Sequence, residues 1–340
     1  MKAAWIEGFG GPEEIRIGLR EVPARKEGEV LVRMAVATLN HHDIYLRRGE
    51  AGRIPLPVIL GSDGAGAVEA SDLSSPFRPG QRVAIYPVLA CGVCSSCAAR
   101  LPHKCRSFGM VGGERDGTHA EFVVVPEECL VLLPDALDFD CAAAVSLSGL
   151  TAWNMVVDEG AAHVGEHALV LGASGGVGVF VIMLLKRLGV TVHAVTSSPS
   201  KRERLLELGA DVVLNDDAAT ILRHTRSLPD RGVDLAFNYV GGSTWRYVLG
   251  AVRTGGRILV CGTLRAPAAE LDMRQVFYRS LSVIGCSMGT PEALGRVLDA
   301  ASDVRFRAPI DEAIPLEALA AAHHRMEAGT ITGKVLIRLT

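Results

Sequence analysis

The chain has 340 residues, of which 49% are apolar and 21% charged, with a formal net charge of −3. That length supports two domains with cores of their own, and the balance is ordinary for a globular protein. The small charge excludes an extended basic surface for nucleic acid or an anionic membrane, and the longest apolar run, Val177–Leu185, is too short to cross a bilayer.

No charged-then-apolar leader occupies Met1–Gly10, so a reducing cytoplasm is expected and the eight cysteines read as thiols rather than bridges. Over the first 125 residues, alternating segments such as Val30–Ala37, Val83–Pro87 and Ala120–Val125 are separated by Gly- and Pro-rich turns. This predicts a β-rich, barrel-like module. Within it stand Cys91, Cys94, Cys97 and Cys105, with gaps of two, two and seven residues. Thiolates bind zinc tetrahedrally, and short Cys-x2-Cys steps let neighbouring sulfurs turn onto one ion. Four such ligands leave no position open for water or substrate, so one structural zinc per chain is expected. Cys129, Cys141, Cys261 and Cys286 lie in apolar strand-like or helical contexts and read as packed, inert thiols.

From about Glu166 the pattern becomes strand, helix, strand, helix. His167–Leu171 reads as a strand, Gly176–Leu188 as a helix stopped by Gly189, and Val190–Thr196 as a second strand. Ser198-Pro199 suits a helix start, with Ser as cap and Pro in the first turn. Further strands are expected at Val212–Leu214, Val233–Asn238, Arg257–Cys261 and Leu281–Gly285. Continuous apolar strands are those buried on both faces, which predicts a doubly wound parallel sheet of six strands in an α/β chain. The stretch from about Met288 is mixed and ends in a strand, Lys334–Leu339.

The turn Gly172-Ala173-Ser174-Gly175-Gly176-Val177-Gly178 joins the first strand of that sheet to its helix. Glycines there allow close approach to a pyrophosphate, which then faces the helix N-terminus. The end of the second strand selects the cofactor. It offers Thr196, Ser197, Ser198 and Lys201, followed by Arg202, and no carboxylate. Hydroxyls and cations suit a 2′-phosphate, so NADPH is expected ahead of NADH.

Taken with Gly61-Ser62-Asp63-Gly64-Ala65-Gly66 and Gly149-Leu150-Thr151-Ala152-Trp153, these motifs make the whole chain resemble the medium-chain dehydrogenase/reductase superfamily, the group of zinc alcohol dehydrogenases and quinone reductases. The resemblance implies a GroES-like catalytic domain from residues 1–150 and 288–340, carrying the zinc lobe at about 88–112. Residues 151–287 would form an inserted Rossmann domain, through which members usually join as dimers or tetramers. It also implies a catalytic zinc held by Cys, His and Cys, and here the chain departs. Those positions read Asn40, Ser62 (followed by Asp63) and Leu147. Neutral Asn and Ser are poor zinc ligands and Leu is none, so no catalytic zinc is expected. Asn40-x-x-Asp43-x-Tyr45 is instead similar to the zinc-free quinone reductase branch.

Without a metal, a hydrogen-bonding acid must stabilise developing oxyanion charge and supply a proton. By resemblance, Asn40 faces the nicotinamide, His42 falls at the substrate-contacting relay position, Tyr45 at the distal one, and His41 where a cation meets the cofactor phosphates. His119 falls at a pocket-lining position. Asp43 and Asp63 could orient these groups from behind. Thr151, Val240, Cys261-Gly262-Thr263 and Ser287-Met288-Gly289 are expected near the nicotinamide, and Lys334 near the pyrophosphate. The expected activity is reduction of a small ketone or aldehyde. Enone or quinone reduction, and a nucleotide-binding protein without turnover, stay open as alternatives.

Overall fold

The computed structural model describes residues 1–52 and 54–339. The chain divides into two compact units. One combines Met1–Leu150 with the segment from Met288 onward, and the other is Thr151–Ser287. No helix among the described residues is long and apolar enough to cross a membrane.

The first unit is built on a seven-stranded sheet. Its central strand, Glu29–Thr38, pairs antiparallel with Gly64–Ala70, Phe122–Pro126 and the C-terminal strand Lys334–Arg338. Val30, Val32, Met34, Leu46, Leu60, Val123, Leu319 and Ile337 fill one core beneath it. Burying a side chain of this size stabilises by roughly 1.5–3 kcal/mol. The register brings Leu336 opposite Thr38, so the start of the last strand lies beside the end of the third-decade strand. That pairing positions everything described below. The expectation of strands and turns alone over residues 1–125 needs correction, because a helix occupies His41–Arg48.

The second unit is the six-stranded parallel sheet. Its order is Val212–Asn215, Thr191–Thr196, His167–Val170, Val233–Phe237, Val252–Val260 and Ser282–Gly285. The inner strands are rich in buried apolar residues, as a parallel sheet covered on both faces requires, whereas Ser282–Gly285 is largely exposed. The fifth strand starts five residues before the expected Arg257. Thr254-Gly255-Gly256 reads as a turn but is accommodated within the strand, where Gly255 has φ +76° and the pairing register shifts. Ser282–Gly285 is an edge strand. Beside it, the helix Met273–Tyr278 leaves Met273, Phe277 and Tyr278 exposed. On the adjacent strands His167–Val170 and Thr191–Thr196, His167 Nδ1 lies 3.0 Å from His193 Nε2, and His193 Nδ1 lies 2.9 Å from His224 Nε2.

Candidate functional site

The helix His41–Arg48 begins because Asn40 is extended (φ −128°, ψ 158°) and Asp43 accepts its backbone N–H at 2.8 Å. The other Asp43 oxygen accepts the Gly61 N–H at 3.1 Å. Gly61 has φ +95°, and a Cβ there would lie 2.4 Å from the His119 ring. Asp43 thus ties the helix N-terminus to the loop that carries Ser62 and Asp63.

Asn40, Asp63, Ser148 and Lys334 meet in the interior of the first unit, each no more than 5% exposed. Lys334 Nζ donates to Asn40 Oδ1 at 2.7 Å, to Ser148 Oγ at 3.3 Å and to the Leu39 carbonyl at 3.5 Å. Asn40 Nδ2 donates to Asp63 Oδ1 at 2.9 Å, which also receives the Thr38 hydroxyl at 2.7 Å. Asp63 Oδ2 accepts the Leu147 N–H at 3.2 Å and stands 3.9 Å from Lys334 Nζ. The carboxamide orientation is fixed by chemistry: an ammonium needs the oxygen and a carboxylate needs the N–H. Burial pushes the Lys334 ammonium pKa down while Asp63 and Asp43 push it back up. Burial raises Asp63 and Asp43, with Lys334 opposing both. Every partner of the lysine is an acceptor and every partner of Asp63 a donor, an arrangement that favours the charged forms against the cost of burial.

This arrangement does not fit a catalytic zinc. The Asn40 oxygen is committed to Lys334, Leu147 offers only its backbone N–H, and a cation already stands beside the one carboxylate. Asn40 therefore has no free polar group to turn toward a nicotinamide. Lys334, expected near the pyrophosphate, is 1% exposed and spends its charge inside the first unit. Ser148 and Thr38 were not anticipated. Ser148 adjoins the lost ligand position Leu147, which is the signal that could have found it.

The imidazoles nearby are neutral at pH 7. His41 is half-buried and pushed down to about 4 by burial, Lys334 and Arg48. Burial also lowers His42, with Asp43 opposing, and its Nε2 is buried without a partner among the described residues. His119 is fully buried and pushed to about 4, again by burial first. Its Nε2 stands 3.2 Å from the Thr38 carbonyl and so carries the proton. Tyr45 is half-buried on the same helix as His42. The structure brings His119 to the Thr38 side of the network and keeps His42 and Tyr45 on the helix that Asn40 caps.

In the second unit, Gly172 turns with φ +61° and Gly175 is the extended residue before the helix Gly176–Arg187. A Cβ on Gly178 would fall 2.4 Å from Tyr239 Oη, and one on Gly172 would lie 3.1 Å from the Tyr239 and Val240 side chains. Strand, tight turn and unsatisfied helix N–H groups fit a dinucleotide pyrophosphate. Ser174 and Val177 lie in this turn, and Val240, Cys261, Gly262, Thr263 and Ser287 follow the carboxyl ends of strands. Thr151 is buried in the helix Ser148–Trp153, while Met288 and Gly289 fall in the first unit. At the second strand's end, Ser198 precedes a turn with Pro199 in its first position, but its hydroxyl does not cap. It meets Ser200 Oγ at 2.9 Å. The Ser198 N–H bonds Thr196 Oγ1 at 3.2 Å. Asp216, from the next strand end, was missed. Its N–H bonds the Thr196 carbonyl at 3.2 Å, while its carboxylate accepts Tyr247 Oη at 2.8 Å and pairs with Arg265. A carboxylate does therefore stand beside the selecting strand, with its charge already engaged.

Cys91, Cys94, Cys97 and Cys105 place their sulfurs within 4.8 Å of one another, the one such cluster among the described residues. The Cys94–Cys97 and Cys91–Cys105 sulfurs are 3.5 Å apart and Cys94–Cys105 3.8 Å. Sulfurs held at about 2.3 Å from one tetrahedral zinc would be spaced similarly, and a disulfide needs about 2.05 Å. All eight cysteines are free. Backbone N–H groups of Cys91 and Ser107 each reach Cys105 Sγ at 3.3 Å, donors that suit a metal-bound thiolate.

A family model described as alcohol dehydrogenase GroES-like domain matches residues 26–135, and one described as zinc-binding dehydrogenase matches residues 176–303. The chain is 30% identical to a quinone oxidoreductase of Pseudomonas aeruginosa over 345 residues, covering 97% of each. It is 29% identical to an alcohol dehydrogenase of Geobacillus stearothermophilus over 345 residues, covering 100% of each. Among solved structures, an NAD-dependent alcohol dehydrogenase superposes with a TM-score of 0.94 at 35% identity, over 100% of both chains.

Proposed function

The chain belongs to the medium-chain dehydrogenase/reductase superfamily of oxidoreductases, and from that premise we propose that it is an alcohol-dehydrogenase-like reductase of ketones or aldehydes that uses NADPH and no catalytic zinc. The observation that carries this reading is the closed Lys334–Asn40–Asp63 network at the position a catalytic metal would take. NADPH bound at the Gly172–Gly178 turn would supply hydride. The chain's own residues must hold the carbonyl and return a proton to its oxygen. His42, with a buried and unpartnered Nε2, is the first candidate donor. Tyr45 follows it on the same helix, and His119, whose Nε2–H is engaged with Thr38, ranks behind both. The preference for NADPH rests on Thr196, Ser197, Ser198 and Lys201, and on the pairing of Asp216 with Arg265, which engages that carboxylate's charge.

The same reading assigns residues 1–150 with 288–340 to the catalytic domain and 151–287 to the nucleotide domain. It assigns one structural zinc to the four cysteines, and a small-molecule substrate. It also assigns a homodimer or homotetramer formed along the exposed edge strand Ser282–Gly285, where an unpaired ladder adjoins exposed Met273, Phe277 and Tyr278.

Enone or quinone reduction is a second reading. A conjugated acceptor needs less electrophilic help than a ketone, and the lack of metal ligands favours it for that reason. Product analysis with NADPH and cyclohexenone separates the two. Allylic alcohol supports carbonyl reduction, and saturated ketone places hydride at the β-carbon. Tight NADPH binding without turnover on carbonyls, enones or quinones would instead support a non-catalytic nucleotide-binding protein.

A further inference from the structure

The buried cation raises a question that the loss of metal ligands does not answer. Moving an ammonium out of water is costly unless acceptors surround it. A buried ion pair needed only to tether two strands could be replaced as a whole by apolar side chains of the same volume at little or no loss, whereas removing the lysine alone would leave Asp63 buried and unpaired. Here the charge is held against three acceptors, and two of them, Asn40 Oδ1 and Ser148 Oγ, also touch each other at 3.4 Å. An ammonium that occupies a lone pair of the Ser148 oxygen makes the Ser148 hydroxyl a stronger donor, because chains of hydrogen bonds polarise one another. Asp63, at 3.9 Å, opposes the loss of the lysine's charge in this dry setting and also holds the Asn40 amide.

We infer that Lys334 is a positioning residue that takes over the electrostatic task of a metal. Its buried ammonium, acting through Ser148, stabilises the negative charge that develops on a substrate carbonyl oxygen. The inference rests on the reductase reading. Lys334 forms no bond to substrate. The Ser148 hydroxyl turns from Asn40 Oδ1 toward the substrate oxygen, and the lysine keeps its three protons throughout.

The test is a set of holoenzyme variants assayed with NADPH and the carbonyl acceptor that the wild type reduces best. K334M removes the charge and keeps the length. We expect kcat to fall at least 30-fold, KM and the NADPH dissociation constant to stay within about threefold, and zinc content to be unchanged. K334R should recover at least a tenth of the wild-type kcat. S148A should lower kcat by a similar factor to K334M, and the K334M/S148A double variant should be little worse than either, since the two act as one unit. A folded K334M with kcat within threefold of wild type overturns the inference, as does a double variant in which the two losses multiply. Should K334M not fold, K334M/D63N removes both buried charges. Wild-type kcat in that protein overturns the inference, and a kcat still at least 30-fold down supports it. A wild type inactive on every carbonyl, enone and quinone tried defeats the reductase reading and this inference together, whereas an active K334M defeats this inference alone.

Discussion

A carboxamide has one acceptor and one donor end, and in Asn40 both are engaged, by a cation on one side and an anion on the other. Reversing either polarity should be costly. N40D places a carboxylate against Asp63 and removes the donor that Asp63 requires. We expect a loss of about 2–4 kcal/mol in unfolding free energy, read by urea titration; a change below about 0.5 kcal/mol would show that Asn40 and Asp63 are not in contact. Lys201 gives a cofactor test of the same scale. K201A should raise the KM for NADPH about 5–20-fold and leave that for NADH within twofold, as the loss of one charge-assisted bond to phosphate implies. An equal rise for both cofactors would move Lys201 away from the 2′ position. At this scale the sequence was informative where ligands are close in the chain. The four cysteines and the Gly172–Gly178 turn announce themselves by spacing. Lys334 could not do so, because its partner Asn40 lies 294 residues away and only the pairing of the last strand with Glu29–Thr38 joins them.

The elements of the second unit were readable because buried parallel strands are continuous apolar runs and the helices Gly176–Arg187 and Arg202–Glu207 are stopped by Gly189 and Gly209. Those of the first unit were less so. The helix His41–Arg48 follows a strand without a Gly or Pro break, and eight residues with His, Asp, Arg and Tyr show little apolar periodicity. Its one legible mark is Asn40-x-x-Asp43, whose carboxylate at the third helical position accepts the Asn40 N–H. The row His167–His193–His224 was likewise invisible in the sequence, since neighbouring strands and one helix bring it together. His193 is pushed down to about 4 by burial and then by its two histidine neighbours. The unfolded chain takes up this proton near pH 6.5 and the folded one only near pH 4. The stability associated with His193 is therefore full above about pH 6.5 and lost as pH falls toward 4. His119, also near 4, and His323, pushed to about 2, act in the same direction. Urea midpoints measured between pH 4 and 7 should fall steeply on the acid side. H193V should reduce the proton uptake on unfolding by roughly one. An unchanged slope would mean that His193 is charged or exposed in the folded state.

For the molecule as a whole, one sheet edge, the cysteine cluster and the lysine network carry the predictions. The edge strand Ser282–Gly285 with its apolar neighbours should make the 36.0 kDa chain run as a dimer or tetramer in light scattering. A charge placed at the 43%-exposed Val283, as V283D, should shift it toward monomer, and a monomeric wild type would contradict this. In the proposed account the partly exposed cysteine cluster and the buried lysine network divide the roles that two metal ions would otherwise fill. On that account one site binds zinc and holds the fold, and the other holds a charge of its own and serves the chemistry. The measurement that tests this division most directly is the zinc content of active, gel-filtered protein, by elemental analysis per folded chain. The account predicts one zinc per chain, lost in the variant C91S/C97S and unaffected by K334M. Two zinc ions per chain, with activity that disappears when the second is removed, would contradict it.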